Sequence, residues 1–395
     1  MSRSVLIAGA GPVGLTAALA LAEAGWNVKV LEARPDIEED LRASTFHPPT
    51  LDMLERYGIT SELIERGLVC PHWQVRMHPG GERAVFDLAV LQDETRHPYR
   101  LQCEQWKLSR ALQVRLRALP RAELAFNATL EHFTQDDGGV TVRAVIAGKA
   151  ETLRADWLIG ADGSRSAVRH VLGLEFDGRT YPETTLLATT TFPFEQHLEG
   201  LSNVSYCWKA GGNFSLLKVP GRWRVSIYPH EDLPIEEQVA PAAIEAALQE
   251  IVPKATPYEV MEARPYRVHQ RIVTRYRAGR VFLAGDAAHL NSPAGGMGMN
   301  GGVHDALNLA DKLIASERGD TRALDLYDLQ RRPIARDQIL AQADRNRARM
   351  REKDDAKRRE MLADLQAITA DRDRLKAHLL KTSMIEGLHQ ASLVT

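Results

Sequence analysis

The chain has few cysteines, little net charge and no long apolar run, and each shortage argues against a class of protein. Its 395 residues include only three cysteines, Cys70, Cys103 and Cys207, whose wide separation makes no metal or redox pattern. They are expected to be reduced thiols, as in a cytoplasmic protein. The formal net charge of −2 argues against nucleic acid or an anionic membrane as the main partner. No apolar stretch is long enough for a membrane span.

The beginning of the chain carries a dinucleotide-binding pattern. Gly9, Gly11 and Gly14 lie between an apolar run (4–8) and a helix-like stretch, and Glu32 ends the next apolar run. In such a β-α-β unit the glycines allow a tight turn, a close approach of pyrophosphate and close helix packing, in that order. The helix N-terminus offers free N–H groups to the phosphates. Glu32 can accept hydrogen bonds from a ribose 2′-hydroxyl and would repel a 2′-phosphate, which favours FAD or NAD over NADP at this site.

Patterns along the rest of the chain predict an α/β (α+β) fold with a Rossmann-like domain. The predicted elements are a helix over 50–66, a hairpin over 75–90, a helix over 108–119, a meander over 124–158, strands over 186–228, a helix over 235–251, a strand over 258–270, a buried strand at 281–284 and helices from 305 onward. The simplest arrangement returns the chain to the nucleotide domain after an excursion through a second, sheet-rich domain.

This arrangement divides the chain into three predicted units. The nucleotide-binding domain is discontinuous and comprises 1–72, 98–178 and 273–320. A β-sheet domain for the substrate comprises 73–97 and 179–272, and a helical C-terminal region comprises 321–395.

Two further motifs each follow a short apolar strand. Asp162-Gly163, with Arg165 beside it, follows the strand at 157–160, and Gly285-Asp286 follows the strand at 281–284. An aspartate in this place can accept hydrogen bonds from a sugar or ribityl hydroxyl. The second motif leads into a glycine-rich segment (293–302) whose N–H groups suit an anionic or carbonyl edge of a ring.

In this order and spacing, the three motifs resemble those of the single-component FAD-dependent aromatic hydroxylases, the class A flavoprotein monooxygenases of the p-hydroxybenzoate hydroxylase type. The resemblance covers about the first 320 residues and is specific for FAD. The segment 265–271 is similar to the branch that acts on phenols, nitrophenols and hydroxypyridines. The residues that the resemblance assigns to the cofactor are Gly9, Gly11, Gly14, Glu32, Arg34, Arg42, Gln105, Asp162, Gly163, Arg165, Gly285, Asp286, Gly298, Met299 and Asn300.

The resemblance also implies a reaction. NADH or NADPH reduces FAD, and O2 then forms a flavin C4a-hydroperoxide that hydroxylates a small hydroxylated aromatic ring or a hydroxypyridine, with or without loss of a ring substituent. The cavity must exclude water, because water destroys the oxidant. No second dinucleotide fingerprint is present, so the choice between NADH and NADPH stays open. A homodimer is common among relatives.

The sequence offers only candidates for catalysis and substrate binding. Some relatives carry an acidic or histidine base where this chain has Ser44, so we consider His47 instead, although a loop histidine in solvent or at a helix start is the simpler interpretation. Tyr206 and Pro293 are expected to face the substrate. The candidate walls are Trp208, Phe214, Leu216, Arg222 and Arg224, for which ordinary sheet core and surface positions are the alternatives.

Other functions on the same fold stay open to different degrees. A flavin halogenase would carry a Trp-x-Trp-x-Ile-Pro element, which this sequence lacks. An FAD-dependent reductase or oxidase and a non-catalytic flavin-binding sensor remain as alternatives. The charge-dense stretch at 345–359 is most simply a solvated helix face.

Overall fold

The computed structural model describes residues 3–40, 42–228, 234–317, 319–320 and 322–395, except for the side chain of Glu183. The strands are β1 Ser4–Ala8, β2 Asn27–Glu32, β3 Thr45–Phe46, β4 Leu68–Cys70, β5 His72–Met77, β6 Arg83–Asp87, β7 Arg100–Gln102, β8 Ala122–Phe126, β9 Ala128–Asp136, β10 Gly139–Ile146, β11 Lys149–Ala155, β12 Trp157–Gly160, β13 Phe176–Thr190, β14 Val204–Lys209, β15 Gly212–Val219, β16 Arg222–Ile227, β17 Val260–Val273, β18 Arg277–Ala278, β19 Val281–Leu283 and β20 His289–Leu290.

Helices fill the gaps between the strands and the whole C-terminal part. The α-helices are α1 Pro12–Glu23, α2 Pro48–Glu55, α3 Thr60–Arg66, α4 Gln105–Arg117, α5 Ala167–Val171, α6 Ile235–Gln238, α7 Pro241–Gln249, α8 Gly298–Glu317, α9 Ala323–Ile334, α10 Ala341–Arg351, α11 Asp355–Thr369, α12 Arg372–Thr382 and α13 Ile385–Ser392. A π-helical segment, Ala335–Leu340, joins α9 to α10. Among the described residues, no helix combines the length and apolar character that a membrane crossing requires.

The first sheet has six strands in the order β18-β19-β12-β1-β2-β8. Strand β1 is parallel to both β12 and β2, and β12 is parallel to β19. These strands are short and almost wholly apolar because a parallel sheet is covered on both faces. Helix α1 packs closely against its sheet, and an added Cβ at Gly14 would collide with the carbonyl oxygen of Gly9.

The second sheet has eight strands in the order β20-β17-β13-β16-β15-β14-β5-β6. Alternating side chains divide its core between two faces. On one face, Phe214 and Leu216 pack with Ile244 and Leu248 of α7. The other face carries Trp73, Val75, Tyr206 and Trp208, and residues of α10, α11 and α12 pack against it.

The predicted fold class is confirmed, with mixed helices and sheets and a helical C-terminal region. The meander at 124–158 contains the antiparallel strands β9, β10 and β11. The division into three units at the predicted boundaries stays a prediction.

Some boundaries differ from the sequence prediction for identifiable reasons. The helix predicted over 50–66 is two helices, α2 and α3, because Gly58 adopts a φ of +65° between them. Strand β13 begins at Phe176, earlier than predicted, in a polar segment whose pairing with β17 is interrupted by a register shift. Helix α8 begins at Gly298 rather than after the glycine-rich segment.

Candidate active site

The cofactor motifs meet at one edge of the six-stranded sheet. The glycine turn follows β1, Glu32 ends β2, Asp162 follows β12, and the Gly285-Asp286 pair follows β19. Because these four strands are parallel neighbours, their carboxyl ends lie side by side. Ligands of open α/β sheets bind outside the carboxyl ends of the strands.

The glycine turn has the shape that a dinucleotide requires. Gly9 has a φ of +101°, and an added Cβ there would collide with the carbonyl oxygen of Ala161. A Cβ added at Gly11, by contrast, would meet no protein atom within 4 Å. The space in front of Gly11 at the start of α1 is therefore open, as expected for a pyrophosphate at a helix N-terminus.

The polar atoms around this edge also fit FAD. The Oδ1 atom of Asp162 is buried and has no hydrogen-bond partner, while its Oδ2 accepts from the amide of Val168 at 3.1 Å. Burial raises the pKa of Asp162. Since an unpaired buried carboxylate oxygen is costly, a hydroxyl or N–H donor from a bound cofactor would satisfy it. Gly163 has a φ of +79° with open space around it, and Arg165 is exposed.

Glu32 lies where a ribose would bind, and it also supports the glycine turn. Its carboxylate accepts hydrogen bonds from the amide of Ala10 at 2.8 Å and from the amide of Arg34 at 3.0 Å. The side chain of Arg34 pairs with Glu38. Arg42 is exposed and pairs with Asp40 at 2.6 Å. Both arginines therefore lie in the exposed loop after β2, within a set of surface ion pairs.

A buried ion network supports the Gly285-Asp286 turn. Asp305 of α8, which is fully buried, accepts hydrogen bonds from His289 at 2.8 Å, from Arg331 at 2.8 Å and from the amide of Gly285 at 3.2 Å. The positive charge of Arg331 lowers the pKa of Asp305, against the opposing effect of burial. The ring of His289 therefore has a structural role, as a partner of Asp305. Asp286 itself remains exposed at the strand edge.

The residues assigned to the flavin ring form the start of α8. Gly298 and Met299 open the helix, and Asn300 follows in its first turn. The Asn300 amide donates hydrogen bonds to the carbonyl oxygens of Thr45 (2.8 Å) and Gly296 (2.7 Å) and accepts one from the amide of His47 at 2.9 Å. Asn300 thus fixes the helix start to the segment around β3. Gln105 opens α4, and its amide donates to the carbonyl of Ala43 on the same side.

A cavity lies between the eight-stranded sheet, the 292–295 loop and α10. It encloses about 810 Å³, counting its open mouth. Aromatic and apolar side chains form much of the wall, with four arginines, Arg100, Arg347, Arg349 and Arg351. Among the described residues that line it, none is an aspartate, glutamate or histidine. The cavity is therefore suited to an anionic ring.

Arg100 is the most deeply buried of these cations. Its side chain is 3% exposed, and its Nε and Nη1 atoms have no hydrogen-bond partner. The guanidinium lies over the Trp73 ring, 4.8 Å from the centroid. Burial lowers the pKa of Arg100, and the adjacent Tyr206 partly offsets this effect. Because a guanidinium stays charged in proteins, the wall of the cavity contains a buried cation.

The structure brings some of the predicted substrate residues to this cavity and places others elsewhere. Tyr206 and Pro293 both line it. Trp208 lies on the same sheet face, but its Nε1 donates to the carbonyl oxygen of Arg349 at 3.1 Å. Phe214 and Leu216 lie on the opposite face, against α7, because side chains alternate along β15. The residue of β15 that lines the cavity is Asn213.

Arg222 and Arg224 join the second sheet to the nucleotide-binding part. Arg222 pairs with the buried Glu104 at 3.0 Å. Arg224 donates to the Ser44 hydroxyl at 2.7 Å and to the carbonyl oxygen of Arg42 at 3.1 Å. Burial lowers the pKa of Arg224 to about 10, so it remains charged at neutral pH. Both arginines have protein partners and do not line the cavity.

His47 is neither solvent-exposed nor poised as a base. It is completely buried, and its Nε2 is 2.9 Å from the carbonyl oxygen of Gly295. Burial, with the positive charge of Arg100, lowers the pKa of His47 to about 3. A group that remains neutral throughout the physiological range takes up protons poorly. His47 instead positions the loop beside the cavity.

Sequence reasoning missed the cationic lining of the cavity. Arg100 belongs to no motif, and its only signal is a charged residue in the short strand-like segment 99–103. Arg349 lies in the charge-dense stretch predicted to be a solvated helix face. That prediction is wrong in part, since Arg358 is fully buried and donates to the carbonyl oxygens of Lys209 at 2.7 Å and Gly212 at 2.9 Å.

Comparison with known proteins identifies the family. The FAD binding domain family matches residues 2–342. Para-nitrophenol 4-monooxygenase of Pseudomonas sp. (strain WBC-3) is 37% identical over 393 residues, which cover 97% of this chain and 96% of that protein. The 6-hydroxy-3-succinoylpyridine 3-monooxygenase of Pseudomonas putida (strain DSM 28022 / S16) is 36% identical over 337 residues, 84% of this chain and 85% of that protein.

Structural similarity agrees with these relatives. The crystal structure of p-nitrophenol 4-monooxygenase from Pseudomonas putida DLL-E4 superposes with a TM-score of 0.91 at 35% identity, covering 98% of both chains. Fold, cofactor motifs and sequence similarity therefore lead to one conclusion: the chain belongs to the FAD-binding family of class A flavoprotein monooxygenases and is an FAD-dependent aromatic-ring monooxygenase.

Proposed function

We propose that the protein hydroxylates a small, acidic phenol or hydroxypyridine, of the kind named in its relatives, with NADH or NADPH as the electron donor. Each turnover consumes one phenol, one NAD(P)H, one proton and one O2, and yields the hydroxylated ring, NAD(P)+ and water. Where the attacked carbon carries a group that leaves with its bonding electrons, such as nitrite, loss of that anion and of the phenol proton gives the quinone instead of the dihydroxylated ring. The names of the two similar enzymes, one for a nitrophenol and one for a hydroxypyridine, support this class.

The observation that carries the proposal is the cavity beside the 292–295 loop, which leads into α8. Aromatic and apolar side chains line much of it, and its charged groups among the described residues are all arginines. Such a site favours a flat ring with an anionic substituent. A long isoprenoid chain would gain nothing from four cations, which disfavours the reductase alternative.

One set of residues is suited to hold FAD, and another set is suited to hold the substrate. FAD supplies the redox chemistry and the activation of O2. The open turn at Gly11, the carboxylate of Glu32 and the unpaired oxygen of Asp162 are suited to hold it. Pro293, Tyr206 and Arg100 are suited to orient the ring and exclude water, with His47 fixing the loop.

The experiment is NADH and NADPH oxidation by the FAD-loaded protein, with oxygen uptake and mass spectrometry of the product. The panel comprises phenols, nitrophenols, hydroxybenzoates and hydroxypyridines. We expect one acidic phenol or hydroxypyridine to stimulate oxidation strongly and to gain one oxygen. Bound FAD without stimulation by any compound, and hydrogen peroxide as the only oxygen product, would overturn the proposal in favour of a reductase, an oxidase or a flavin-binding sensor.

We further propose a homodimer in the cytoplasm. The three cysteines support the cytoplasmic location, because all are buried and free of disulfides. Burial also raises the pKa of the Cys70 thiol to about 11. Sedimentation of the FAD-loaded protein would test the dimer.

A further inference from the structure

Tyr266 of β17 is the only exposed aromatic side chain among the described phenylalanine, tyrosine and tryptophan residues. The residue is 46% exposed, and no described residue stacks on its ring or forms a hydrogen bond with its hydroxyl. Single exposed side chains are common on protein surfaces, so the meaning of this one depends on where it lies.

Tyr266 lies on the cavity side of the eight-stranded sheet. Its partner across the β13–β17 pair is Thr185, and residues directly opposite each other in an antiparallel pair point to the same face. Val268 follows two residues later on β17 and shares that face, because side chains alternate along a strand. Thr185 and Val268 both line the cavity. Tyr266 is therefore their neighbour at the border of the cavity.

Tyr266 also lies close to the cofactor edge of the six-stranded sheet. Burial, and then the negative charge of Asp286, raises the pKa of the Tyr266 hydroxyl to about 12, whereas the positive charge of Arg42 acts in the opposite direction. Asp286 belongs to the turn after β19, and Arg42 to the loop after β2. A half-exposed side chain whose hydroxyl is desolvated by the surrounding protein lies in a cleft, not on a convex surface.

This cleft is where a flavin ring has to pass. The turn at Asp286 is suited to the ribityl chain of FAD, and the ring that this chain carries must reach the cavity to react with an aromatic substrate. Tyr266 borders both the turn and the cavity. An exposed aromatic ring in that position is suited to pack against another planar ring, since offset and edge-to-face contacts between aromatic rings are stabilising.

We propose that Tyr266 contacts the isoalloxazine ring of FAD and holds it beside the substrate cavity. The contact is made by the aromatic ring of the tyrosine, so its hydroxyl contributes little to the affinity for FAD. The same contact covers part of the flavin ring from solvent. The inference rests on the FAD cofactor and does not depend on the substrate class proposed above.

The first test is a titration of the apoprotein with FAD. Tyr266→Leu removes the ring and should weaken FAD binding about twofold to tenfold, the usual contribution of one aromatic pair. Tyr266→Phe keeps the ring and should bind FAD like the wild type. Because the side chain is half exposed, both variants should keep the thermal stability of the apoprotein. An unchanged FAD affinity in Tyr266→Leu would contradict the proposed part of Tyr266 in holding FAD.

The second test reads the contact directly from the fluorescence decay of bound FAD and requires no turnover. An excited flavin takes one electron from a tyrosine or tryptophan that touches it and then returns the electron, which quenches its fluorescence. Phenylalanine and leucine are too difficult to oxidise to do this. The fastest decay component should therefore disappear in Tyr266→Leu and Tyr266→Phe and return in Tyr266→Trp. Tyr206 and Trp73, which line the cavity, should account for slower components in all variants.

Met261→Leu is the matched control, because Met261 is an exposed residue of the same strand. It should leave the FAD affinity and the fluorescence decay of the wild type unchanged. If the decay is the same in the wild type, Tyr266→Leu and Tyr266→Phe, Tyr266 does not touch the flavin and the inference is overturned. If Tyr266→Leu does not fold, Tyr266→Phe and Tyr266→Trp still decide the question.

This inference and the proposed function fail in distinguishable ways. If no phenol or hydroxypyridine stimulates NAD(P)H oxidation, the proposed function is wrong, while the fluorescence decay still reports whether Tyr266 touches the flavin. If a phenol is hydroxylated but the decay ignores residue 266, the function stands and only the flavin contact is wrong.

Discussion

At the residue scale, two glycines of the nucleotide turn have different roles: Gly9 is needed for folding and Gly11 for cofactor binding. Gly9→Ala introduces a Cβ that collides with the Ala161 carbonyl oxygen at a φ of +101°, so it should destabilise the apoprotein. Gly11→Ala adds a Cβ in open space and should leave the apoprotein stable while weakening FAD binding about tenfold or more, because the pyrophosphate needs that space. Thermal melts of the apoprotein and FAD fluorescence titrations measure the two effects. Equal FAD affinity in Gly11→Ala and the wild type would contradict this placement.

His47 gives a second residue-scale prediction. Because its pKa is lowered to about 3, it should contribute no ionisation to the pH dependence of kcat/KM above about pH 5. His47→Gln removes the bond to Gly295 and should lower kcat/KM about threefold to tenfold, the effect of losing one hydrogen bond. The pH profile should keep its shape. A limb that disappears from the profile in His47→Gln would show that His47 acts as a base after all.

The residues that sequence could and could not assign differ in a physical way. Gly9, Gly11 and Glu32 were predictable because backbone geometry and ribose chemistry leave few alternatives at those positions. Arg100 was not, because its place in the cavity wall depends on packing that only the tertiary structure shows. The sequence could not decide whether Phe214 and Leu216 line the substrate cavity or belong to the sheet core, since alternation in a strand gives two faces without saying which one lines a cavity.

At the element scale, α8 and α9 hold the Gly285-Asp286 turn through Asp305. Asp305→Asn would remove the buried charge between His289 and Arg331 and should cost about 3–5 kcal/mol of unfolding free energy, the usual effect of breaking a buried ion pair. FAD affinity should fall with it, because Gly285 loses its support. Urea unfolding is the measurement.

The matched control for that prediction is Asp337→Asn. Asp337 pairs with Arg336 at the surface, with both side chains more than half exposed. Its loss should change the unfolding free energy by less than about 0.5 kcal/mol. Similar effects for both variants would mean that the Asp305 network is not a structural support.

Elements were predictable where one physical signal dominated. The apolar strands β1 and β19 and the amphipathic helix α4 follow from periodicity. The early start of α8 could not be predicted, because glycines are poor helix formers and are typical of turns. In the structure, Gly301 and Gly302 belong to the helix because Ile339 and Val13 pack too closely against them to leave room for a Cβ. Strand β13 was missed because its polar sequence gains strand structure only from pairing with β17.

At the scale of the whole molecule, buried histidines should make the fold sensitive to acid. The pKa values of His47 and His304 are lowered to about 3 and that of His378 to about 4, against about 6.5 in the unfolded chain. Between these limits the unfolded state binds more protons than the folded state, so stability falls as pH falls below about 6.5. When the pH falls from about 7.5 to about 5.5, each of these histidines should lower the free energy of unfolding by about 1.4 kcal/mol.

Urea unfolding at these two pH values tests the combined effect of the three histidines on the free energy of unfolding. The variant His304→Gln should reduce the difference by about one histidine's share, provided that its bond to Thr50 is the only contact changed. Equal stability at both pH values would contradict the neutral, buried state of these side chains.

For the molecule as a whole, we propose that FAD held at the edge of the six-stranded sheet supports hydroxylation of an anionic ring in the arginine-lined cavity. The most direct measurement is turnover of 4-nitrophenol, or of the best compound found in the panel, under ¹⁸O2 with NAD(P)H, followed by mass spectrometry. We expect one ¹⁸O atom in the ring product and a matching consumption of NAD(P)H and O2. A product without ¹⁸O, or hydrogen peroxide as the only labelled product from every compound tested, would contradict it.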